Sequence, residues 1–135
     1  MNQPLQTLAG WGGYPKQEAR LLRPLARGAC AAQLAQAAGV TPRGMGRSYG
    51  DSANGATVLQ TTALDHFIAF DPVAGSLTVE AGITLREILK LVVRQGWFLP
   101  VTPGTAHVTV AARSRATYMG KITTLRERSR NMSQQ

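Results

Sequence analysis

The stretch "VTPRGMGRSYGD" (residues 40–51) places three glycines within seven residues, directly after a short run that favours a strand. Glycine adopts positive φ angles readily and lets the backbone approach a ligand closely. Successive N–H groups in such a loop can point inward and bind an anion. Ser48 adds a hydroxyl donor, and Arg43 or Arg47 can offset phosphate charge. The loop therefore suggests a diphosphate site, although a tight surface turn explains the glycine spacing equally well.

Neither of two common phosphate-binding motifs fits this loop. No Gly-Lys-Ser/Thr follows the glycines, and no long helix begins directly after them, so the P-loop and the dinucleotide fingerprint are both excluded. A second turn of small residues, "TPGT" (residues 102–105), follows a strand-like run. Taken alone, it is best interpreted as an ordinary Pro-Gly turn.

Hydrophobic periodicity predicts an α+β (mixed α/β) domain. Helices are expected over residues 26–39 and 83–96, each ended by glycine, and Thr84 with Glu87 forms a capping-box pair at the start of the second. The remaining runs alternate apolar and polar residues or end at turn residues, and predict strands over residues 19–25, 40–43, 56–61, 67–71, 76–82 and 97–101.

The charge of the chain is concentrated at its end. The net charge is +8, of which residues 1–110 carry nine Lys/Arg and six Asp/Glu, and residues 111–135 carry six Lys/Arg and one Glu. We therefore divide the chain into a domain, residues 1–110, and a basic tail, residues 111–135. A basic tail is compatible with a small protein that binds nucleic acid or another anion. The tail has a single aromatic residue and no apolar face, so we favour a solvated, poorly ordered segment.

Cysteine usage and hydropathy indicate a cytoplasmic protein. Cys30 is the single cysteine, so no internal disulfide and no paired-cysteine metal site are expected. We interpret it as a buried, unreactive thiol. The N-terminal residues lack the charged and apolar regions of a secretory signal, and no apolar run is long enough to span a bilayer.

Four stretches in order resemble one family. "GWGGYP" (10–15), "RGMGRSYGD" (43–51), "LDHFIAFDPVAGSLTVEAGITLREIL" (64–89) and "GWFLPVTPGTAHVTV" (96–110) are similar to the N-terminal part of FAD-linked oxidases of the vanillyl-alcohol-oxidase fold. The resemblance is strongest to the subgroup of decaprenylphosphoryl-ribose oxidase-like enzymes. It implies the first half of a two-subdomain FAD-binding domain (PCMH type), with hydride transfer from a hydroxyl-bearing small molecule to flavin.

The resemblance also implies which residues contact FAD. One group wraps the pyrophosphate, and a second group lies toward the flavin. Together they are Arg43, Gly44, Met45, Gly46, Arg47, Ser48, Tyr49, Gly50, Asp51, Gly104, Thr105, Thr109 and Val110. No catalytic residue and no metal ligand are assigned. His66 and His107 are expected at the surface, Asp51 and Glu80 in structural roles, and Trp97 and Phe98 as core or interface anchors.

The resemblance stops after Val110. The family continues with "GGAIA", an Asp and a motif like "HGKNHH", whereas this chain has "AARSRATYMGKITTLRERSRNMSQQ". With ordinary synonymous codons and a one-base shift, the tail reads "GGAIASDVHGKNHHPAGTLAQHVAA". Met119 followed by Gly120 forces a glycine in the shifted frame. We therefore predict a base lost near Val110, which leaves residues 111–135 out of frame.

Two expectations follow for the chain. As an N-terminal fragment with a frameshifted tail, it is expected to be inactive alone, because the flavin ring and substrate would be covered by the missing half. A separately encoded C-terminal half is a further possible partner. The rival hypothesis, a small basic protein that binds nucleic acid or another anion through residues 111–135, predicts salt-sensitive DNA retention that is lost with the tail; we do not favour nucleic acid as the partner.

Overall fold

The computed structural model describes residues 4–100, 102–113, 121–122 and 126–127. Its first sheet has the order β1-β2-β4-β3. The strands are β1 (Gln6–Ala9), β2 (Lys16–Leu22), β3 (Thr41–Arg43) and β4 (Thr57–Gln60). Strand β4 runs parallel to both β2 and β3, and β1 is antiparallel to β2. Helix α1 (Arg27–Ala35) connects β2 to β3.

Strand β4 is buried on both faces. Successive side chains of a strand point to opposite faces of the sheet. Val58 accordingly packs with Ala19 and Leu21 on one face. Leu59 packs with Cys30 of α1 and Leu64 on the other. Strand β4 therefore anchors β3, and with β3 the beginning of the glycine loop.

The second part of the chain contains the strands β5 (Phe67–Asp71), β6 (Ser76–Val79), β7 (Trp97–Phe98), β8 (Lys121–Ile122) and β9 (Arg126–Glu127). They form an antiparallel sheet of order β5-β6-β8 and the antiparallel pair β7-β9. Helix α2 (Leu85–Val92) continues into a 3₁₀ turn, Val93–Gln95, and α3 covers Val110–Arg113. The predicted mixture of helices and strands is confirmed.

Helix α2 is fixed by its first turn and by its apolar face. The Thr84 hydroxyl accepts a bond from the Glu87 N–H (3.3 Å), and Glu87 Oε2 accepts one from the Thr84 N–H (2.9 Å), which confirms the predicted capping box. Leu85, Ile88 and Val92 are buried in the main core, against β6. Each such side chain contributes roughly 1.5–3 kcal/mol to the free energy of folding.

Several element boundaries differ from the prediction. Helix α1 ends at Ala35 and not near Gly39, because the N–H groups of residues 36 and 37 bond to carbonyls only three residues back and so tighten the last turn. Helix α2 likewise ends at Val92, before the 3₁₀ turn. Strand β1 was not predicted. Of the two expected roles, core or interface anchor, Phe98 at 42% exposure does not have the first and the second stays a prediction, whereas Trp97 is half-buried against the core.

Within the ranges that the structure describes, no helix is both long enough and apolar enough to cross a membrane.

Candidate functional site

The glycine loop, residues 43–51, begins at Arg43, the last residue of β3, and so lies at the carboxyl end of that strand. In open α/β sheets this end of the strands is where ligands commonly bind. Gly46 and Gly50 have φ values of 65° and 60°, which are accessible to glycine and strained for other residues. Met45 is 42% exposed and Tyr49 is 82% exposed. The loop thus lies at the surface, and its backbone turns at Gly46 and Gly50, which are in the left-handed conformation.

Backbone N–H groups of the loop are left available. Among the described residues, none of the N–H groups of residues 44–51 donates a hydrogen bond to a backbone carbonyl. The carbonyls behave differently, since Ser48 O accepts from the Trp11 N–H (2.9 Å) and Asp51 O from the Asn54 N–H (2.8 Å). A loop that uses its carbonyls internally and leaves its amides free is suited to an anion.

Arg43 is turned into the protein. Its Nη2 donates to the carbonyl of Ala9 (2.8 Å), and its Nη1 donates to Asn54 Oδ1 (3.0 Å) and to the carbonyl of Ala53 (3.3 Å). Burial lowers the pKa of this guanidinium below its ordinary value. The guanidinium also lies where a β-carbon on Gly46 would be. The Arg43 side chain therefore supports the loop from within, and its expected role in offsetting phosphate charge stays a prediction.

Arg47 occupies the outer side of the loop. Its guanidinium carbon lies 4.6 Å from the ring centroid of Trp11, a cation–π contact. The residue is exposed. Of the two arginines considered for phosphate charge, Arg47 is the one that the structure leaves at the surface.

Gly44 and Thr109 are brought together although 65 positions separate them in the sequence. A β-carbon on Gly44 would clash with Thr109 Oγ1 and would lie 3.2 Å from Thr109 Cβ. Thr109 is fully buried and forms an isolated bridge with Thr84. The structure therefore places Gly44, one of the residues predicted to contact the pyrophosphate, against Thr109, one of the residues predicted to lie toward the flavin.

The first turn of α2 holds this second segment. The N–H of Leu85 donates to the carbonyl of Val108, and the N–H of Arg86 donates to the carbonyl of Ala106, both at 3.0 Å. Because these amides and that of Glu87 are already bonded, the helix N-terminus has no free donors there for an anion. Its role is to fix residues 106–109 beside the loop.

Two hydroxyl groups of the site have no hydrogen-bond partner in the described part of the chain. Ser48 Oγ and Thr109 Oγ1 are both buried and unpaired within the described structure. An unpaired buried hydroxyl is costly, so such atoms commonly have a functional partner. Ser48 Oγ belongs to the loop whose amides are free, and Thr109 Oγ1 lies against Gly44 at the start of the same loop.

Other predicted site residues lie apart from these donors. Gly104 and Thr105 are exposed, and the Thr105 hydroxyl accepts from the His107 N–H (3.2 Å). The side chain of Val110 is buried in the main core, and its N–H bonds to the carbonyl of Ile83 (2.9 Å). Val110 therefore supports the fold through these groups. Asp51 is exposed at the end of the loop.

Glu80 connects three parts of the chain. One carboxylate oxygen lies 2.7 Å from Nδ1 of His66 and the other 3.4 Å from Nε of Arg27. Burial alone would raise the pKa of this carboxyl, but the hydrogen bonds from His66 and the charges of His66 and Arg27 outweigh burial and hold the pKa below its ordinary value. His66 and His107 are exposed, and Cys30 is a buried thiol whose pKa burial raises. These placements agree with structural roles.

The sequence pattern predicts no role for residues 9–11, which contact the loop directly through Ala9 and Trp11. The available signal was the motif "GWGGYP", whose glycines and tryptophan have no obvious purpose in a simple connection.

Comparisons with known proteins agree on one family. A family model described as an FAD binding domain matches residues 27–130. Decaprenylphosphoryl-beta-D-ribose oxidase of Mycolicibacterium smegmatis is 33% identical over 121 residues, which are 84% of this chain and 26% of that protein. The chain thus spans about a quarter of this curated relative.

Solved structures share the fold. Cholesterol oxidase from Brevibacterium sterolicum superposes with a TM-score of 0.65 at 13% identity, over 80% of this chain and 23% of that one. An alkyldihydroxyacetonephosphate synthase gives a TM-score of 0.58 at 18% identity, over 72% and 20%. The chain has the fold of the FAD-binding domain in such enzymes, and it belongs to the FAD-binding domain family, whose cofactor is FAD.

Proposed function

We propose that this chain supplies the diphosphate-binding half of an FAD domain. The observation that carries the proposal is the contact between Gly44 and Thr109, with two unpaired hydroxyls beside a loop of free amides. Loop amides bind the pyrophosphate oxygens, the Ser48 and Thr109 hydroxyls donate hydrogen bonds to them, and Arg47 adds positive charge. Gly104 and Thr105, which are exposed, contact the flavin side of the dinucleotide, and the buried Thr109–Val110 segment supports them from behind.

The complete protein is proposed to be an oxidase of a hydroxyl-bearing small molecule. When bound, FAD supplies the acceptor for a hydride from a substrate C–H. The residues of this chain hold the dinucleotide at its phosphates and take no proton themselves. Support comes from the family match and from the oxidase to which the chain is 33% identical.

Flavin reduction tests the oxidase proposal. The product of the complete gene is purified and mixed with candidate alcohols without oxygen, and the visible absorbance of flavin is followed. Bleaching is expected, and it should slow when the hydrogen on the carbinol carbon is replaced by deuterium. A flavin-loaded protein that is reduced equally fast by the deuterated alcohol contradicts hydride transfer.

We propose further that residues 111–135 are translated out of frame. The shifted reading restores "GKNHH" and accounts for the Arg-rich composition of the tail. The family match extends to residue 130, and Lys121–Ile122 pairs with β6 and Arg126–Glu127 with β7 as short antiparallel strands. Of the tail predicted to be poorly ordered, the structure describes only residues 111–113, 121–122 and 126–127. Most of the basic surface of the rival hypothesis therefore also lies outside the described residues.

Genomic DNA across codons 105–140 tests the frame. We expect a one-base insertion near codon 110 to restore the family reading. An intact frame without an alternative "GKNHH" reading contradicts the frameshift.

The 135 residues alone are proposed to lack turnover, and a separately encoded C-terminal half would restore it on co-expression. Turnover by the purified chain contradicts this point and leaves FAD binding unaffected.

A further inference from the structure

Residues 9–11 contact the glycine loop in three ways, and the following inference about them rests on the proposed function. The Ala9 carbonyl accepts from Arg43 Nη2 (2.8 Å), and the Trp11 N–H donates to the carbonyl of Ser48 (2.9 Å). Gly10 lies against the carbonyl oxygens of Ser48 and Gly50, so closely that a β-carbon there would be 2.7 Å from Ser48 O and would clash with Gly50 O. A glycine is required at position 10 by this close approach.

The direction of these two carbonyls determines the direction of two amides. The Gly50 carbonyl carbon lies 3.5 Å from the β-carbon position of Gly10 and its oxygen lies much closer, so this carbonyl points at Gly10. The Ser48 carbonyl points to the same segment, because it accepts from the Trp11 N–H. In a planar trans peptide, the N–H of the following residue points the opposite way. The N–H groups of Tyr49 and Asp51 therefore point away from residues 9–11.

We propose that Gly10 and Trp11 are positioning residues for the cofactor diphosphate. By holding the Ser48 and Gly50 carbonyls on one side of the loop, they present the Tyr49 and Asp51 amides together on the other side. Two parallel amides on one face are what a pyrophosphate oxygen binds. The Trp11 ring carries the Arg47 guanidinium at 4.6 Å and so limits the positions that this cation can take.

The direct test uses the unmodified chain, labelled with ¹⁵N, and FAD as the probe. Before FAD is added, the Trp11 amide should exchange slowly with solvent because Ser48 O accepts its hydrogen, whereas the Tyr49 and Asp51 amides should exchange fast. With FAD, the Tyr49 and Asp51 amide resonances should shift and become protected, while Trp11 remains protected. Shifts confined to other loop amides would overturn the proposal.

Matched glycine variants give a second test. Gly10→Ala places a methyl group against two carbonyls, whereas at Gly12→Ala, two residues along, no atom of the described residues lies within 4 Å of the new β-carbon. We expect Gly10→Ala to weaken FAD binding at least about tenfold, equivalent to about 1.4 kcal/mol, and Gly12→Ala to leave it unchanged. The ³¹P resonances of bound FAD should move in Gly10→Ala only. Circular dichroism confirms that each variant is folded at the temperature used.

If Gly10→Ala does not fold, Trp11→Ala replaces it, since this variant keeps the main-chain N–H and removes only the support of Arg47. A ³¹P spectrum altered in Trp11→Ala and not in Gly12→Ala supports positioning. If wild type binds FAD and all three variants match it in affinity and in ³¹P shifts, the positioning role of residues 10 and 11 is overturned. The proposed function is then unaffected. Failure of wild type to bind FAD overturns the proposed function and this inference with it.

Discussion

Among single residues, Ser48 and Thr109 carry the two buried hydroxyls of the site. These hydroxyls are expected to lower the stability of the empty protein and to strengthen FAD binding. Ser48 Oγ and Thr109 Oγ1 are buried and have no hydrogen-bond partner among the residues that the structure describes. An unsatisfied buried polar group costs about 1–3 kcal/mol in folding free energy. A cofactor oxygen that accepts from such a hydroxyl recovers this energy on binding. The site is therefore expected to be less stable when empty than an apolar version of itself would be.

Thr109→Val tests this balance, because valine keeps the shape and removes the hydroxyl. We expect the free energy of unfolding without FAD to rise by roughly 1 kcal/mol and FAD affinity to fall. Thermal unfolding and FAD titration measure the two effects. Thr78→Val, at a half-buried threonine in β6, is the control for affinity. A variant that is more stable and also binds FAD normally would show that the hydroxyl does not contact the cofactor.

Gly44→Ala tests the contact between the loop and Thr109. The new methyl group would overlap Thr109 Oγ1, so the loop must shift, and we expect both stability and FAD affinity to decrease. Overpacking of this kind typically costs about 1–3 kcal/mol. Adding Thr109→Ala should restore the midpoint of thermal unfolding and leave FAD binding weak. An equal loss of stability in the single and double variants would contradict the contact.

The lowered pKa of Glu80 leads us to predict that the folded protein loses stability in acid. Its pKa lies below the ordinary value in the folded state, since bonds from His66 and the charges of His66 and Arg27 outweigh burial. A group with a depressed folded pKa stabilises the protein above its unfolded pKa and loses that contribution as pH falls through the folded pKa.

Denaturant unfolding as a function of pH measures this contribution. The free energy of unfolding should fall as pH decreases below about 5. Glu80→Gln should flatten the curve. Glu87 also has a lowered pKa, through its bonds with Thr84, so Glu80→Gln should retain part of the slope. A Glu80→Gln curve that coincides with that of wild type would contradict the prediction.

Among the elements, helix α2 matters to the site through its first turn. Thr84→Ala removes the side-chain cap and should lower the free energy of unfolding by about 1 kcal/mol. Because the amides of Leu85 and Arg86 hold the carbonyls of residues 108 and 106, loosening this turn should also increase amide exchange around Thr109. Thr84→Ser, which keeps the hydroxyl, should behave like wild type. If amide exchange near Thr109 is unchanged in Thr84→Ala, the cap does not influence the site and the prediction is contradicted.

The elements show what local chemistry can predict. The capping box at Thr84 and Glu87 was predictable because all its partners lie within four residues. Strand β1 was not predicted, since its four residues gain their pairing from β2 across a turn. The early end of α1 depends on hydrogen bonds that switch to a tighter pattern, which helix propensity does not describe. Resemblance supplied the site residues, and glycine spacing alone did not.

At the scale of the whole molecule, the candidate site depends on two distant segments. The loop after β3 lies on the first sheet, whereas Thr109 is fixed by α2, whose apolar face packs in the core of the second. Both segments, the glycine loop and the one around Thr109, are identifiable from the sequence. The inward direction of Arg43 and the contacts of residues 9–11 with the loop are not. Those features arise from packing between segments more than thirty residues apart, as in the bond from Arg43 to Ala9.

Competitive equilibrium dialysis with the 135-residue chain tests the central claim, that its loop and Thr109 bind the diphosphate of FAD. Free and bound FAD are measured alone, with ADP as a diphosphate competitor, and with riboflavin, which lacks phosphate. The account predicts that the chain retains FAD, that ADP displaces it, and that riboflavin does not. Displacement by riboflavin without displacement by ADP, or no retention of FAD at all, would contradict it.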